Sequence, residues 1–449
     1  MKQVIQNYRT GEIALREVPA PALRPGTVLV RNVASVVSVG TEKLMTGLAR
    51  KSLVGKAVAR PDLVKRVVEK ARAEGVGEAF RQAMSRLDAP VPLGYSCAGR
   101  IVAVGPGADG LAAGHRVACG GHAAASHAEI VRVPHTLCVA VPDGVEFDEA
   151  AFAFIGAIAL HTVRMAEVVL GERVAVIGLG LLGQIAAQIV RAAGAEAFAV
   201  DRDESRVALA LELGARGGAM AGGDALSRAE RFTGGRGFDA VLVFASTPGN
   251  QPVEAAVEMA RERGRIAVAG MVRMDMPRSA LYEKELRVIV PRSAGPGADD
   301  AAYEGKGLDY PPSYVPWTEK RNMEAFLALM AAGSVRVRPL VTHRIPIESA
   351  LQAYALLSGE RQEPYLGVVL THNGDRPASL ARRLDLRKQA VRRDAVRICP
   401  CCARWSGSRS PASQRRAGCP PSTRHGSWAS GTARRTRMRS SRTRTPMPF

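Results

Sequence analysis

Gly178-Leu179-Gly180-Leu181-Leu182-Gly183 spells G-x-G-x-x-G directly behind the apolar run Arg173-Val174-Ala175-Val176-Ile177 and ahead of a helix-like stretch, residues 184–193. Glycines at these spacings permit a tight turn, a close approach of backbone to a pyrophosphate, and close packing of helix on strand. The helix N-terminus then offers free N–H groups to the phosphates. Asp201 follows the next apolar run, Ala197-Phe198-Ala199-Val200, and a carboxylate there holds both hydroxyls of a ribose. The pattern predicts a bound dinucleotide. It favours NAD, because Asp201 repels a 2′-phosphate. Arg202 is the group that would admit NADP, with a solvent-facing or adenine-stacking role as its plainer reading. Ser246 and Thr247, after a third apolar run, and Gly270 with Met271, after a fourth, are expected at the nicotinamide-ribose side.

These residues need a parallel sheet to position them. From about residue 151 strand-like and helix-like runs alternate, which predicts a doubly wound α/β sheet, a Rossmann domain, over 151–295. Residues 1–150 read instead as short β segments broken by Gly and Pro, a barrel-like or sandwich-like domain, with a helical insertion at about 50–88. The charged face of that insertion reads as solvated, with a lid or subunit contact as the alternative. Residues 296–372 read as a return segment. They include the aromatics Tyr303, Tyr310, Tyr314 and Trp317, suited to stacking on a sugar ring or to a subunit interface. His161, in the helix-like run 158–164, reads as structural, with an approach to the cofactor as its alternative. His122 and His127 read as surface-loop histidines.

The composition narrows the class. With 47% hydrophobic residues and no apolar run free of polar interruption over 18 residues, the 449-residue chain predicts a soluble protein of two or three domains. No signal-peptide core opens it, which points to the cytoplasm. Seven cysteines make no disulfide framework at this length. The formal charge of +20 is concentrated in the tail: residues 373–449 hold 19 of the 62 basic but only 3 of the 42 acidic residues. The body is nearly neutral, so neither a membrane nor a nucleic-acid partner is expected for it.

This order of domains resembles the medium-chain, alcohol-dehydrogenase-like oxidoreductases, over residues 1 to about 372. The marks are Leu93-Gly94-Tyr95-Ser96-Cys97-Ala98-Gly99, Gly114-His115-Arg116-Val117, Val141-Pro142-Asp143-Gly144-Val145 and the glycine loop. The resemblance implies a GroES-like β domain, an active site in the cleft between the two domains, and a small-molecule substrate handled by a homo-oligomer. Zinc-dependent members carry Gly-His-Glu where this chain has Gly94-Tyr95-Ser96, and a cysteine in the loop that here reads Ser38-Val39-Gly40-Thr41-Glu42. Three protein ligands for catalytic zinc cannot be assembled at those positions, and Cys97, Cys119 and Cys138 are too scattered for a structural zinc lobe, so no metal is expected. Tyr95, Ser38 and Thr41 are the expected catalytic hydroxyls, Tyr95 bonding or protonating the substrate oxygen and Thr41 relaying the proton. Glu42 would orient the loop or cap a helix.

Ser38-x-Gly-Thr-Glu, Arg292-Ser293-Ala294-Gly295-Pro296-Gly297 and Trp317-Thr318-Glu319-Lys320-Arg321-Asn322-Met323 are similar to the dehydrogenase half of bacterial bi-domain oxidoreductases from surface-polysaccharide clusters. Those carry a second Rossmann domain of the glucose–fructose oxidoreductase type, missing here, and a sugar-like substrate is the reading this implies. A quinone- or enoyl-type reductase and a dinucleotide-binding subunit without turnover are the alternatives. After Asp394 the chain has no acid and 12 arginines. We read residues 373–449 as a basic, low-complexity tail, disordered or, over residues 395–449, the product of a frameshift; only a genuine tail would bind nucleic acid.

Overall fold

The computed structural model describes residues 1–50 and 89–373, with scattered positions between 51 and 88. Most of the expected helical insertion, and the basic tail from residue 374 onward, lie outside the described residues. Among the described residues no helix is long and apolar enough to cross a membrane.

The N-terminal part forms strands β1 (Lys2–Asn7), β2 (Ile13–Glu17), β3 (Thr27–Val37), β4 (Pro90–Pro92), β5 (Ser96–Val104), β6 (Arg116–Gly120), β7 (Ile130–Pro134) and β8 (Cys138–Ala140). Helix α1 (Val39–Arg50) leaves the end of β3 after one residue, Ser38. β3 is the spine of the larger sheet. One edge pairs with β5 along most of its length, and it also pairs antiparallel with β7 over residues 27–31 and with β16 (Gly367–Thr371) over residues 34–37. β15 (Val341–Pro346) lies parallel to β16, giving the order β15-β16-β3-β5-β6-β8. The chain therefore returns, after its parallel sheet, to complete the sheet in which it began.

The parallel sheet has the order β11-β10-β9-β12-β13-β14, from β9 (Arg173–Ile177), β10 (Glu196–Asp201), β11 (Gly217–Met220), β12 (Phe238–Val243), β13 (Ala260–Val268) and β14 (Arg287–Ile289). Its central strands are runs of Val, Ile and Ala buried on both faces, as a sheet covered by helices requires. The strand order reverses beside β9, and ligands bind such sheets at the carboxyl end of that crevice. This is the α/β architecture expected from the alternation, a GroES-like domain with a Rossmann sheet.

Helix α2 (Ala153–Met165) joins the two parts. It is apolar nearly all round, so it must be buried. It packs against β5 and β6 on one side, and against β13 and α3 (Leu181–Ala192) of the Rossmann half on another. α4 (Glu319–Ala331) crosses it at Gly156, where an added Cβ would stand 2.2 Å from the Phe326 ring. Gly156→Ala should therefore destabilise the protein by about 1–3 kcal/mol through overpacking. Phe326→Leu in the same chain should recover part of that loss in denaturant melts, whereas a helix-propensity effect alone would make Gly156→Ala stabilising.

Candidate functional site

The glycine loop occupies the turn from β9 into α3. Gly178 has φ +94°, and a Cβ there would meet the Ala245 amide at 2.4 Å, so both conformation and space demand glycine. At Gly183 a Cβ would lie 1.9 Å from the Gly178 carbonyl oxygen, which is what close contact of helix with strand looks like. Gly180 differs, since a Cβ there meets nothing within 4 Å. It precedes α3 with no side-chain cap, leaving the first N–H groups of Leu181, Leu182 and Gly183 to an outside acceptor. Leu181 is buried and Leu182 half-buried, so these two residues seat the loop while their backbone faces outward.

Asp201 stands at the end of β10. Its Oδ2 accepts the Leu179 amide at 2.6 Å and Oδ1 accepts the Asp203 amide at 3.0 Å. It thus ties the glycine loop to the next strand end, a role the spacing did not reveal, while remaining partly exposed. Arg202 is exposed beside it. Ser246 is exposed and Thr247 half-buried in the loop after β12; Thr247 donates its amide to the Met271 carbonyl at 2.9 Å. Gly270 presses on that loop, its Cβ position lying 2.0 Å from the Ala245 carbonyl oxygen. Met271 is 59% exposed. All of these positions follow strand ends on the same edge of a parallel sheet, beside the point where strand order reverses.

The three hydroxyls also come together. Tyr95 Oη donates to Ser38 Oγ at 2.5 Å, and the Thr41 hydroxyl is within bonding reach of the same phenol. Tyr95 and Ser38 are 8% exposed, whereas Thr41 is at the surface in the first turn of α1. Burial pushes the Tyr95 phenol above its ordinary range; its bonds to Ser38 and Thr41 oppose this, and the Glu42 charge adds to it. Phe154, on α2, meets the Tyr95 ring edge-on at 5.8 Å between centroids.

Behind the hydroxyls lies a polar network that corrects one sequence expectation. His127 is not a surface-loop residue but fully buried, its ring under Gly94, where a Cβ would come within 2.8 Å of it. Its Nε2 faces Glu42 Oε1 at 3.3 Å and its Nδ1 faces Ser35 Oγ at 2.8 Å. His122 is exposed, as expected. His161 packs against the Gly295 backbone, and burial together with Arg164 lowers its pKa.

The aromatic stretch divides. Tyr303 is wholly buried, bonded to Thr136, with Tyr310 stacked on it at 5.6 Å. Tyr314 is 86% exposed, and the Arg164 guanidinium lies over Trp317. Nearby, Glu319 is fully buried; Ser293 Oγ lies 3.4 Å from its Oε1, and Oε2 has no partner. Sequence reasoning passed over Glu319, because an acid that opens a helix after Thr318 looks like an ordinary first-turn residue.

Among the described residues no group of three His, Cys, Asp or Glu side chains stands close enough to share a metal ion. The groups gathered at Tyr95 are neutral hydroxyls, a donor set that does not suit Zn²⁺.

A glycine loop at the switch point of a Rossmann sheet, set beside a GroES-like sheet, defines a dinucleotide-dependent oxidoreductase. Residues 68–143 match the family described as alcohol dehydrogenase GroES-like domain, and residues 182–295 match zinc-binding dehydrogenase. The chain is 23% identical over 310 residues to 2-dehydro-3-deoxy-L-galactonate 5-dehydrogenase of Pseudoalteromonas atlantica, covering 62% of this chain and 82% of that one. It is 26% identical over 302 residues to galactitol 1-phosphate 5-dehydrogenase of Escherichia coli, covering 59% and 80%. The crystal structure of galactitol-1-phosphate dehydrogenase from Escherichia coli superimposes with a TM-score of 0.60 at 22% identity, covering 83% of this chain and 100% of that one. The chain is an NAD(P)-dependent, alcohol-dehydrogenase-like oxidoreductase.

Two outcomes follow from the geometry. Gly180→Val, whose side chain enters open space, should melt like the parent and lose the fluorescence change of NADH binding; undiminished binding would remove Gly180 from the site. Glu319 has its pKa raised to about 8, by burial first, with Glu304 and Asp299 adding and Arg292 and Ser293 opposing. The folded chain thus keeps a proton that the unfolded chain gives up, and stability falls as pH rises from about 5 to 8. The cost at pH 7 is roughly 3 kcal/mol. Glu319→Gln should abolish that fall in urea titrations, being more stable than the parent at pH 8 and nearly equal to it at pH 5.

Proposed function

We propose that this chain is a zinc-independent, NAD-preferring dehydrogenase that interconverts an alcohol and a carbonyl on a carbohydrate-like substrate. What carries the reading is the meeting of Tyr95, Ser38 and Thr41 where zinc-dependent members of the family hold their metal. Bound at the glycine loop, a nicotinamide supplies the hydride acceptor or donor. The chain's own residues then orient the substrate and move its hydroxyl proton. Tyr95 Oη, committed as donor to Ser38, presents its lone pairs to the substrate hydroxyl. In the oxidation direction Tyr95 Oη takes the substrate hydroxyl proton and turns its own proton from Ser38 to the Thr41 oxygen, whose hydroxyl proton passes to water at the exposed start of α1. Phe154 closes one side of the Tyr95 ring.

Asp201 supports NAD over NADP, since a carboxylate at the end of the second Rossmann strand would repel a 2′-phosphate. The relatives' names support a sugar acid, a sugar alcohol or its phosphate as the substrate class. A role in surface-polysaccharide synthesis beside a second Rossmann domain, a cytoplasmic setting and a homo-oligomeric state extend the same reading.

The test is a turnover screen of polyols and sugar nucleotides with NAD and NADP, on protein dialysed against a chelator. Retained turnover and a Tyr95→Phe loss of about 10²-fold or more in kcat support the reading. Chelator-sensitive turnover overturns zinc independence. Reduction of quinones or enoyl thioesters instead makes it a reductase, and tight NADH binding with no turnover makes it a non-catalytic subunit.

A further inference from the structure

The carboxylate of Glu42 is 1% exposed, yet it carries three donors. The Ser38 amide reaches Oε1 at 2.9 Å, the His127 ring faces the same oxygen at 3.3 Å, and the Tyr354 hydroxyl donates to Oε2 at 2.6 Å. The donors come from the β3–α1 junction, from the loop before β7, and from helix α5 (Leu351–Ser358). They are far apart in sequence and converge on one side chain.

The rest of the network fixes which way its hydrogens point. A neutral imidazole that donates Nε2–H to Glu42 accepts at Nδ1, and its partner there is Ser35 Oγ at 2.8 Å. Ser35 Oγ in turn receives the Nε2 hydrogen of His372 at 3.0 Å, leaving a bare lone pair at His372 Nδ1, which has no partner. His372 is kept neutral, its pKa driven down to about 3 by burial with His127 adding, against the Glu348 carboxylate. Beyond it, Glu348 is paired with Lys2 at the surface. Every donor in the chain therefore points toward Glu42.

We propose that Glu42 is the positioning residue of the reaction centre: its buried carboxylate holds Ser38 by the amide, and by that bond and its own charge keeps Tyr95 a hydroxyl that donates to Ser38. The proposal rests on the assignment of Tyr95 as the substrate-binding hydroxyl. The phenol and the carboxylate share the Ser38 junction, so ionising the phenol would place a second negative charge beside the first in a dry site. Glu42 thus disfavours the phenolate, and the three donors hold Glu42 itself in place. His127, Tyr354 and Ser38 face Glu42; Ser38 and Thr41 face Tyr95; His372 and Glu348 stand behind His127.

The test titrates tyrosine absorbance at alkaline pH in the full chain, with Tyr95→Phe as the blank that isolates the Tyr95 signal. Glu42→Gln should bring Tyr95 ionisation to a lower pH and move the alkaline limb of kcat with it. It should lower kcat about 10- to 100-fold at unchanged NADH affinity, and Glu42→Asp, which keeps the charge, should restore the limb. Tyr354→Phe removes one donor from the same carboxylate and should shift Tyr95 upward; it carries the test if Glu42→Gln does not fold. Unmoved ionisation in both variants overturns the proposal. An alkaline limb that survives in Tyr95→Phe overturns the Tyr95 assignment instead, and the absorbance titration tells the two failures apart.

Discussion

Two sheets of different kinds must share one wall, and only a helix that tolerates burial on every side can be that wall. Ala153–Met165 meets the requirement with small and apolar residues around most of its circumference. One flank receives Phe326 over a glycine, and another receives the Tyr95 ring against Phe154. Because packing in such an interior is close, a shift of the helix moves the hydroxyl cluster and the flank of the glycine-loop helix together. The relative placement of substrate oxygen and cofactor is set here, in apolar contacts. Polar bonds join the same halves farther out, where Gln188 exchanges two hydrogen bonds with the Arg336 backbone and Arg191 donates to the Ser334 carbonyl.

The polar groups concentrate where the β sheet changes partners. β3 is paired by β7 along its first half and by β16 along its second, and the handover falls at residues 32–34. Backbone groups left by that change are taken up by bonds from outside the ladder: Asn32 donates its side chain to the Ser126 and Ala128 carbonyls, and the His372 amide donates to Val33. Ser35, His127 and His372 occupy the same gap. A buried carboxylate costs several kcal/mol unless it is fully bonded, and the gap supplies the rings and hydroxyls that Glu42 needs. A seam in the sheet thereby becomes the support of the cleft.

What could be read from the sequence follows how local each determinant is. The glycine loop and Asp201 lie within one βαβ unit, so spacing alone placed them, and the strand runs at 173–177 and 197–200 were read to within a residue or two. Tyr95, Ser38 and Thr41 came only through the family's ligand positions, since nothing local joins residue 38 to residue 95. His127 was misread because a histidine between Ser126 and Ala128 carries no sign of burial; the sign is in Gly94, whose missing side chain makes room for the ring. The pairing of Tyr354 with Glu42 spans 312 residues and depends on the chain's return to its first sheet. The aromatics at 303–317 share a composition but not an environment: Tyr303 is core and Tyr314 is surface.

On the proposed zinc-independent reading, the chemistry of the cleft follows from what stands in place of a metal. A zinc ion stabilises an alkoxide by direct charge, and the ligands that hold it need only stay deprotonated. On the proposed reading Tyr95 instead accepts from the substrate hydroxyl, which it does only while its own hydrogen stays in place and aimed at Ser38, and both conditions are met by surroundings that a metal site would not use. Burial disfavours its anion, and a nearby carboxylate disfavours it further. Its three donors are what let that carboxylate remain in the core. Tyrosine for histidine at position 95 is therefore intelligible only together with Glu42, His127 and Tyr354, and a site of this kind has to change as a set.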